Sequence, residues 1–76
     1  MMNDLAERLA NETLLSSQEA QTVALRRKGL SWQEIGDEMD VTRGSAQSYY
    51  ERAETKAKKA KDSVELFKEI GFIETE

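Results

Sequence analysis

Arg43 and Gln47 stand four residues apart, with Thr42, Ser48 and Glu51 interleaved at helical spacing. Gathered on one face of a helix, these side chains can do the chemistry of base-edge recognition. A guanidinium donates two hydrogen bonds to guanine O6 and N7, a carboxamide pairs with adenine N6 and N7, and a carboxylate accepts from a cytosine amino group. Ser45, Arg52 and Lys56 would add phosphate contacts from the same helix, and Gly44 leaves its first turn with little reach. Ser31 and Gln33, at the start of the preceding helix, are placed to hold a phosphate against free backbone amides. The plain alternative for each is a solvated helix face, and Glu51 would repel phosphates wherever it missed a cytosine.

Positioning that set requires two short helices at a fixed angle. Counting from Ile35, a glycine follows at once and apolar residues then fall at Met39, Val41, Ala46 and Tyr49. Within each predicted helix these are three or four apart and share a face. Val41 falls in the turn and plugs the angle, while Gly36 lets the second backbone approach closely. This is the pattern of a helix-turn-helix, whose second helix enters the DNA major groove. Asp40 occupies the point where such a turn needs a positive φ, a conformation Asp tolerates better than most side chains.

The flanking elements follow from caps and periodicity. Asn3 or Asp4 would cap a short helix carrying Leu5, Ala6, Leu9 and Ala10, with Asn11 breaking it. Ser16 with Glu19 is a capping box, opening a helix that runs to Lys28 and is closed by Gly29. Ser31 with Glu34 is a second capping box, and Thr42 caps the helix that follows. From there small or apolar residues read Ala46, Tyr50, Ala53, Ala57, Ala60, Val64, Phe67 and Gly71, alternating steps of four and three as in a heptad seam. One long helix from about Arg43 to Glu69 is the preferred reading; a break at Asp62-Ser63, with the second piece folding back, is its rival. Trp32, Tyr49 and Tyr50 are read as core or seam packing. Phe67, Ile70, Phe72 and Ile73 would cover the first helix or form a dimer contact.

Composition narrows the classes. Seventy-six residues make one small domain with a modest core, which association with a second chain would help. Cysteine and histidine are absent, removing disulfides and the usual zinc and imidazole chemistry, and no nucleophile, base pair or phosphate-cradling loop points to an enzyme. No cofactor is expected. No apolar run approaches the ~20 residues of a membrane span and no secretory signal is recognisable, so the expected location is cytoplasmic. The net charge of −4 is awkward for a nucleic-acid binder, but it is unevenly spread: residues 1–15 carry −2, residues 16–60 carry +1 and residues 61–76 carry −3. DNA affinity rests largely on phosphate neutralisation, so a nearly neutral reading unit implies weak or dimeric binding.

At Leu30-Ser31-Trp32-Gln33-Glu34-Ile35-Gly36 and Val41-Thr42-Arg43-Gly44-Ser45-Ala46-Gln47-Ser48 the chain resembles the promoter-reading carboxy-terminal domain of bacterial sigma factors. With its extended helix, Glu51-Arg52-Ala53 and the basic run after it, it looks still more like the archaeal Tfx-type DNA-binding regulators. The likeness covers roughly residues 14–62, and it departs at Asp40, where glycine is usual, and at Gly44-Ser45. It implies double-stranded DNA as partner and possible contact with the transcription machinery.

The expectations are therefore an all-α helix-turn-helix bundle with a long C-terminal recognition helix. Residues 1–13 form an N-terminal helix or arm, 14–52 the helix-turn-helix core, and 53–76 a helical extension for homodimerisation through Ala53, Ala57, Ala60, Val64, Phe67 and Ile70. The function expected is sequence-specific transcription regulation. The competing reading, which net acidity, Gly44-Ser45 and Glu51 favour, is a protein-interaction module of the same fold without DNA binding.

Overall fold

The computed structural model describes residues 4–74, which fold into four helices and, among those residues, no strand. They are α1 (Asp4–Glu12), α2 (Ser17–Arg27), α3 (Trp32–Met39) and α4 (Arg43–Glu69). The all-α architecture with a long final helix is the expected one. Among the described residues no helix is long and apolar enough to cross a membrane.

Helix starts and stops are decided by local chemistry. Ser16 and Ser31 each accept from the amide three residues on, at 3.2 and 3.1 Å, while Glu19 and Glu34 accept from the serine amides at 3.0 and 2.8 Å. Both capping boxes are complete. Thr42 accepts from the Ser45 amide at 3.0 Å and opens α4. Three ends share one closing motif, in which an amide reaches back to the carbonyl five residues earlier: Leu30 to Leu25, Val41 to Gly36 and Phe72 to Phe67. A residue at positive φ makes each turn possible. Two of the three are glycines, and Asp40 stands in the third at φ 57°.

Several expectations need correction. Asn11 does not break α1, which continues to Glu12; Asn3 as cap lies outside the described residues. The break at Asp62-Ser63 does not occur, because α4 runs unbroken for 27 residues and straight through the 52/53 boundary. Gly71 is not a seam residue: at φ 76° it terminates the helix beyond Ile70. Phe67, Ile70, Phe72 and Ile73 do not cover α1. They are exposed, and α4 packs against α2 and α3 only.

The core is small and built for close approach. Leu25, Ile35 and Ala46 bring α2, α3 and α4 together, with Leu30, Trp32, Met39 and Val41 around them. Alanines fill the remaining crossings: Ala6 and Ala20 are fully buried, Ala24 nearly so, and Ala53 is 4% exposed on α4. Small side chains let helix axes draw near but contribute little apolar area each. Ile35 and Thr22 are the largest side chains fully withdrawn from solvent. The Thr22 hydroxyl donates to the Gln18 carbonyl at 2.8 Å and sits 3.3 Å from the Met39 sulfur, so its burial leaves no polar group unpaired. At 1.5 Å per residue α4 is about 40 Å long, and it accounts for the 45 Å long axis of the molecule.

Candidate nucleic-acid interface

The turn between α3 and α4 is held by backbone contact. The Val41 amide donates to the Gly36 carbonyl at 2.9 Å. A Cβ at Gly36 would lie 2.8 Å from the Val41 carbonyl oxygen and 3.3 Å from the Arg43 nitrogen. The start of α4 therefore rests directly on α3, as the sequence pattern required, and Val41 seals the angle.

With Ala46 and Ala53 facing the core, helical geometry places Gly44, Ser48, Glu51 and Thr55 on the opposite side of α4. Arg43 and Gln47 flank that row on one side, Ser45 and Arg52 on the other. Thr42, Arg43, Gly44, Ser48, Glu51 and Arg52 are exposed, whereas Ser45 and Gln47 are half-buried. Nothing among residues 4–74 folds over this face. The Arg43 side chain makes no hydrogen bond or ion pair with any described residue, so its guanidinium is available to a ligand. Arg52 lies over the Tyr49 ring, 5.8 Å from its centre, which steadies it at the edge of the face. Two shallow depressions run along the helix and share Ser48 and Arg52. Thr55 lines one of them, although the sequence pattern did not single it out; it lies four residues beyond Glu51, so continuing the same spacing one turn would have found it.

Other expected contacts have partners within the fold. The Lys56 ammonium donates to Glu19 Oε1 at 2.7 Å and to the Leu14 carbonyl at 3.3 Å, which ties it to α2 at the edge of the face, where its side chain still lines one of the depressions. Glu19 is 4% exposed. The hydrogen bond from Lys56 and that from the Ser16 amide hold its carboxyl below the ordinary glutamate value of 4.5, outweighing the opposing effect of burial. Glu34 is held low chiefly by the Ser31 amide. The Ser31 hydroxyl is likewise engaged in its capping box, and Gln33 donates to Asp37 at 3.1 Å. Arg26 is also committed within the fold, where its guanidinium stacks 4.4 Å above Trp32 and donates to the Leu30 carbonyl at 2.8 Å. Trp32 meets Tyr50 edge-on at 5.2 Å, which makes both packing residues.

Electrostatically the face is mixed. Arg43 and Arg52 flank Glu51, and α3 beside them carries exposed Glu34, Asp37 and Glu38. Among the described residues no cluster of acidic side chains is arranged to hold a metal ion. Of the residues named for dimerisation, Ala53 is buried inside the subunit, while Ala57, Ala60, Val64, Phe67 and Ile70 are exposed. No family model, curated protein or solved structure matches the chain.

Proposed function

We propose that this protein is a sequence-specific DNA-binding transcription regulator, acting as a dimer, in which α4 reads one major groove per subunit from Arg43 onward. The observation that carries the reading is the pairing of a backbone-locked helix-turn-helix with an uncovered polar face on its second helix. Arg43 and Gln47 serve as base readers, and Ser45, Ser48 and Arg52 as hydroxyl and guanidinium donors to the DNA backbone. The Thr42 and Thr55 hydroxyls already donate to Ser45 Oγ and the Glu51 carbonyl, and they line the face beside them. Glu51 sharpens selection by accepting from cytosine and rejecting poorly placed phosphates. The likeness of residues 14–62 to the sigma-factor promoter-reading domain and the Tfx-type regulators supports the same reading, and with it contact to the transcription machinery. A protein with this role is expected to work in the cytoplasm, where its DNA is.

The test is fluorescence anisotropy on a pool of random duplexes across a salt series, followed by selection of the retained sequences. Native protein is expected to bind at low salt and to weaken steeply as salt rises. Arg43→Ala with Gln47→Ala should lose at least about tenfold in affinity for the selected site, since one good bidentate pair is worth ~1–3 kcal/mol. No binding to any duplex at low salt would overturn the proposal and leave the near-neutral face to a protein partner.

A further inference from the structure

The heptad seam of α4 is covered at one end and bare at the other. Ala46 and Ala53 are buried inside the subunit, and the same face then emerges into solvent at Ala57. Beyond it Val64 is 43% exposed, Phe67 40% and Ile70 66%. Where the seam emerges, the end of α1 and the α1–α2 connection form an open groove against it, walled by Leu9, Leu14 and Leu15 and floored by Ala57 and Ala60. Leu14 is 75% exposed there. The bare seam is thus small at its beginning, large at its end, and flanked by an apolar groove at the small end.

We infer that the occupant is a second copy of this chain, its α4 running antiparallel about a two-fold axis at the level of Asp62. That register sets Ala57 against the partner's Phe67 and Ala60 against the partner's Val64, so every layer joins a small side chain to a large one. A parallel pair would stack alanine on alanine and phenylalanine on phenylalanine, leaving voids at one end and crowding at the other. Length agrees as well. In the antiparallel register the partner helix, ending at Glu69 and turned aside by Gly71, stops level with Thr55, just short of buried Ala53. Phe67 and Ile70 of each copy then enter the groove beside Leu14 of the other. The exposed parts of Leu14, Val64, Phe67 and Ile70 amount to about 400 Å² per copy, or roughly 800 Å² for the pair. Exposed Ala57, Ala60 and Leu66 beside them extend the patch towards the ~1,000 Å² of a small specific interface.

Charge sets the salt response. In the antiparallel register residues 62–69 of each copy, net −2, lie beside residues 55–62 of the other, net +3. That contact is attractive, so salt weakens the pairing by screening it. The inference gives the dimer of the proposed function its geometry, but it stands or falls on its own surface.

Sedimentation equilibrium of the full chain tests it. At about 100 µM the mass should be twice 8.6 kDa, with association weaker at high salt. Val64→Asp and Leu14→Asp, both at exposed positions on different elements, should each weaken association at least about tenfold while circular dichroism stays native. Because the chain lacks cysteine, register is read by cross-linking. Ala57→Cys chains mixed with Phe67→Cys chains should form disulfide-linked pairs. Ala57→Cys alone should not, its two Cα atoms being about 15 Å apart along the axis against the ~7 Å limit for a bridge. A monomer at this concentration, an undisturbed dimer in Val64→Asp, or self-linked Ala57→Cys overturns the inference. Arg43→Ala with Gln47→Ala should dimerise normally, which separates failure of this surface from failure to read DNA.

Discussion

Lys56 on α4 reaches back across the molecule to Glu19 in the first turn of α2, Nζ to Oε1 at 2.7 Å. Glu19 at the same time accepts from the Ser16 amide, so one carboxylate both caps its own helix and holds the long helix against it. The lysine side chain remains 40% exposed, which places the pair between a surface salt bridge and a buried one.

Lys56→Met should therefore destabilise the fold by about 1–2 kcal/mol at neutral pH, more than an exposed pair and less than a buried one. The Glu19 carboxyl titrates below 4.5 in the folded chain, so its contribution is present above that pH and is lost as pH falls through the folded value. Chemical denaturation of native and variant protein from neutral to strongly acidic pH should show the gap between them closing below 4.5. A gap that stays constant with pH would mean that the lysine stabilises by packing alone.

Gly36→Ala probes the turn. The added methyl meets the Val41 carbonyl at 2.8 Å, and backbone on both sides leaves little room to yield. Overpacking of this kind costs ~1–3 kcal/mol, against which better helix propensity returns up to ~1. A lowered melting temperature together with lost DNA binding is expected. An unchanged or raised melting temperature would show that α3 and α4 can separate freely.

Asp40→Gly should act in the other direction. At φ 57° the aspartate holds a left-handed conformation that glycine adopts without strain. A gain of about 0.5–1 kcal/mol in urea unfolding is expected, and removing a negative charge beside the reading face should also tighten DNA binding. A loss of stability would indicate that Asp40 is held by its surroundings rather than merely tolerated.

Arg43 and Arg52 should separate by their salt response. Arg52→Ala removes a backbone contact, so it should weaken all duplexes alike and lower the slope of log affinity against log salt by about 1. Arg43→Ala should instead relax preference at one base position by ~1–3 kcal/mol. Measuring both on selected and scrambled duplexes checks the assignment, and equal effects on the two duplexes for Arg43→Ala would remove it from base reading.

The elements of this fold were legible in the chain because their determinants are local. Serine with glutamate three residues on, threonine before a long uninterrupted stretch, and Gly29 at the end of α2 each satisfy backbone groups within a few residues. The close approach at Gly36 was legible too, since the periodicity of Ile35, Met39, Val41 and Ala46 leaves a tiny residue only where two helices must touch. Asn11 misled because it is merely a poor helix former, and α1 is held by burial of Ala6 against α2 rather than by propensity. Gly71 misled for a similar reason: its spacing continues the seam, while its φ ends the helix.

What the tertiary structure alone decided is the fate of long side chains. Lys56 and Gln33 both read as donors free for phosphate, yet each finds an acceptor within the fold. Asp37 lies only four residues from Gln33, but which contact a flexible side chain adopts depends on burial and competing groups that periodicity does not encode. Lys56 and Glu19 are 37 residues apart, and only the crossing of α4 over α2 brings them together. Likewise the heptad seam is continuous in sequence from Ala46 to Phe67, but its division at Ala57 into a covered half and a bare half is set by how far α2 and α3 extend along it. Sequence by itself determined which residues cap, turn and face inward; the packing of helices decided which of the remaining polar and apolar groups are left free to meet another molecule.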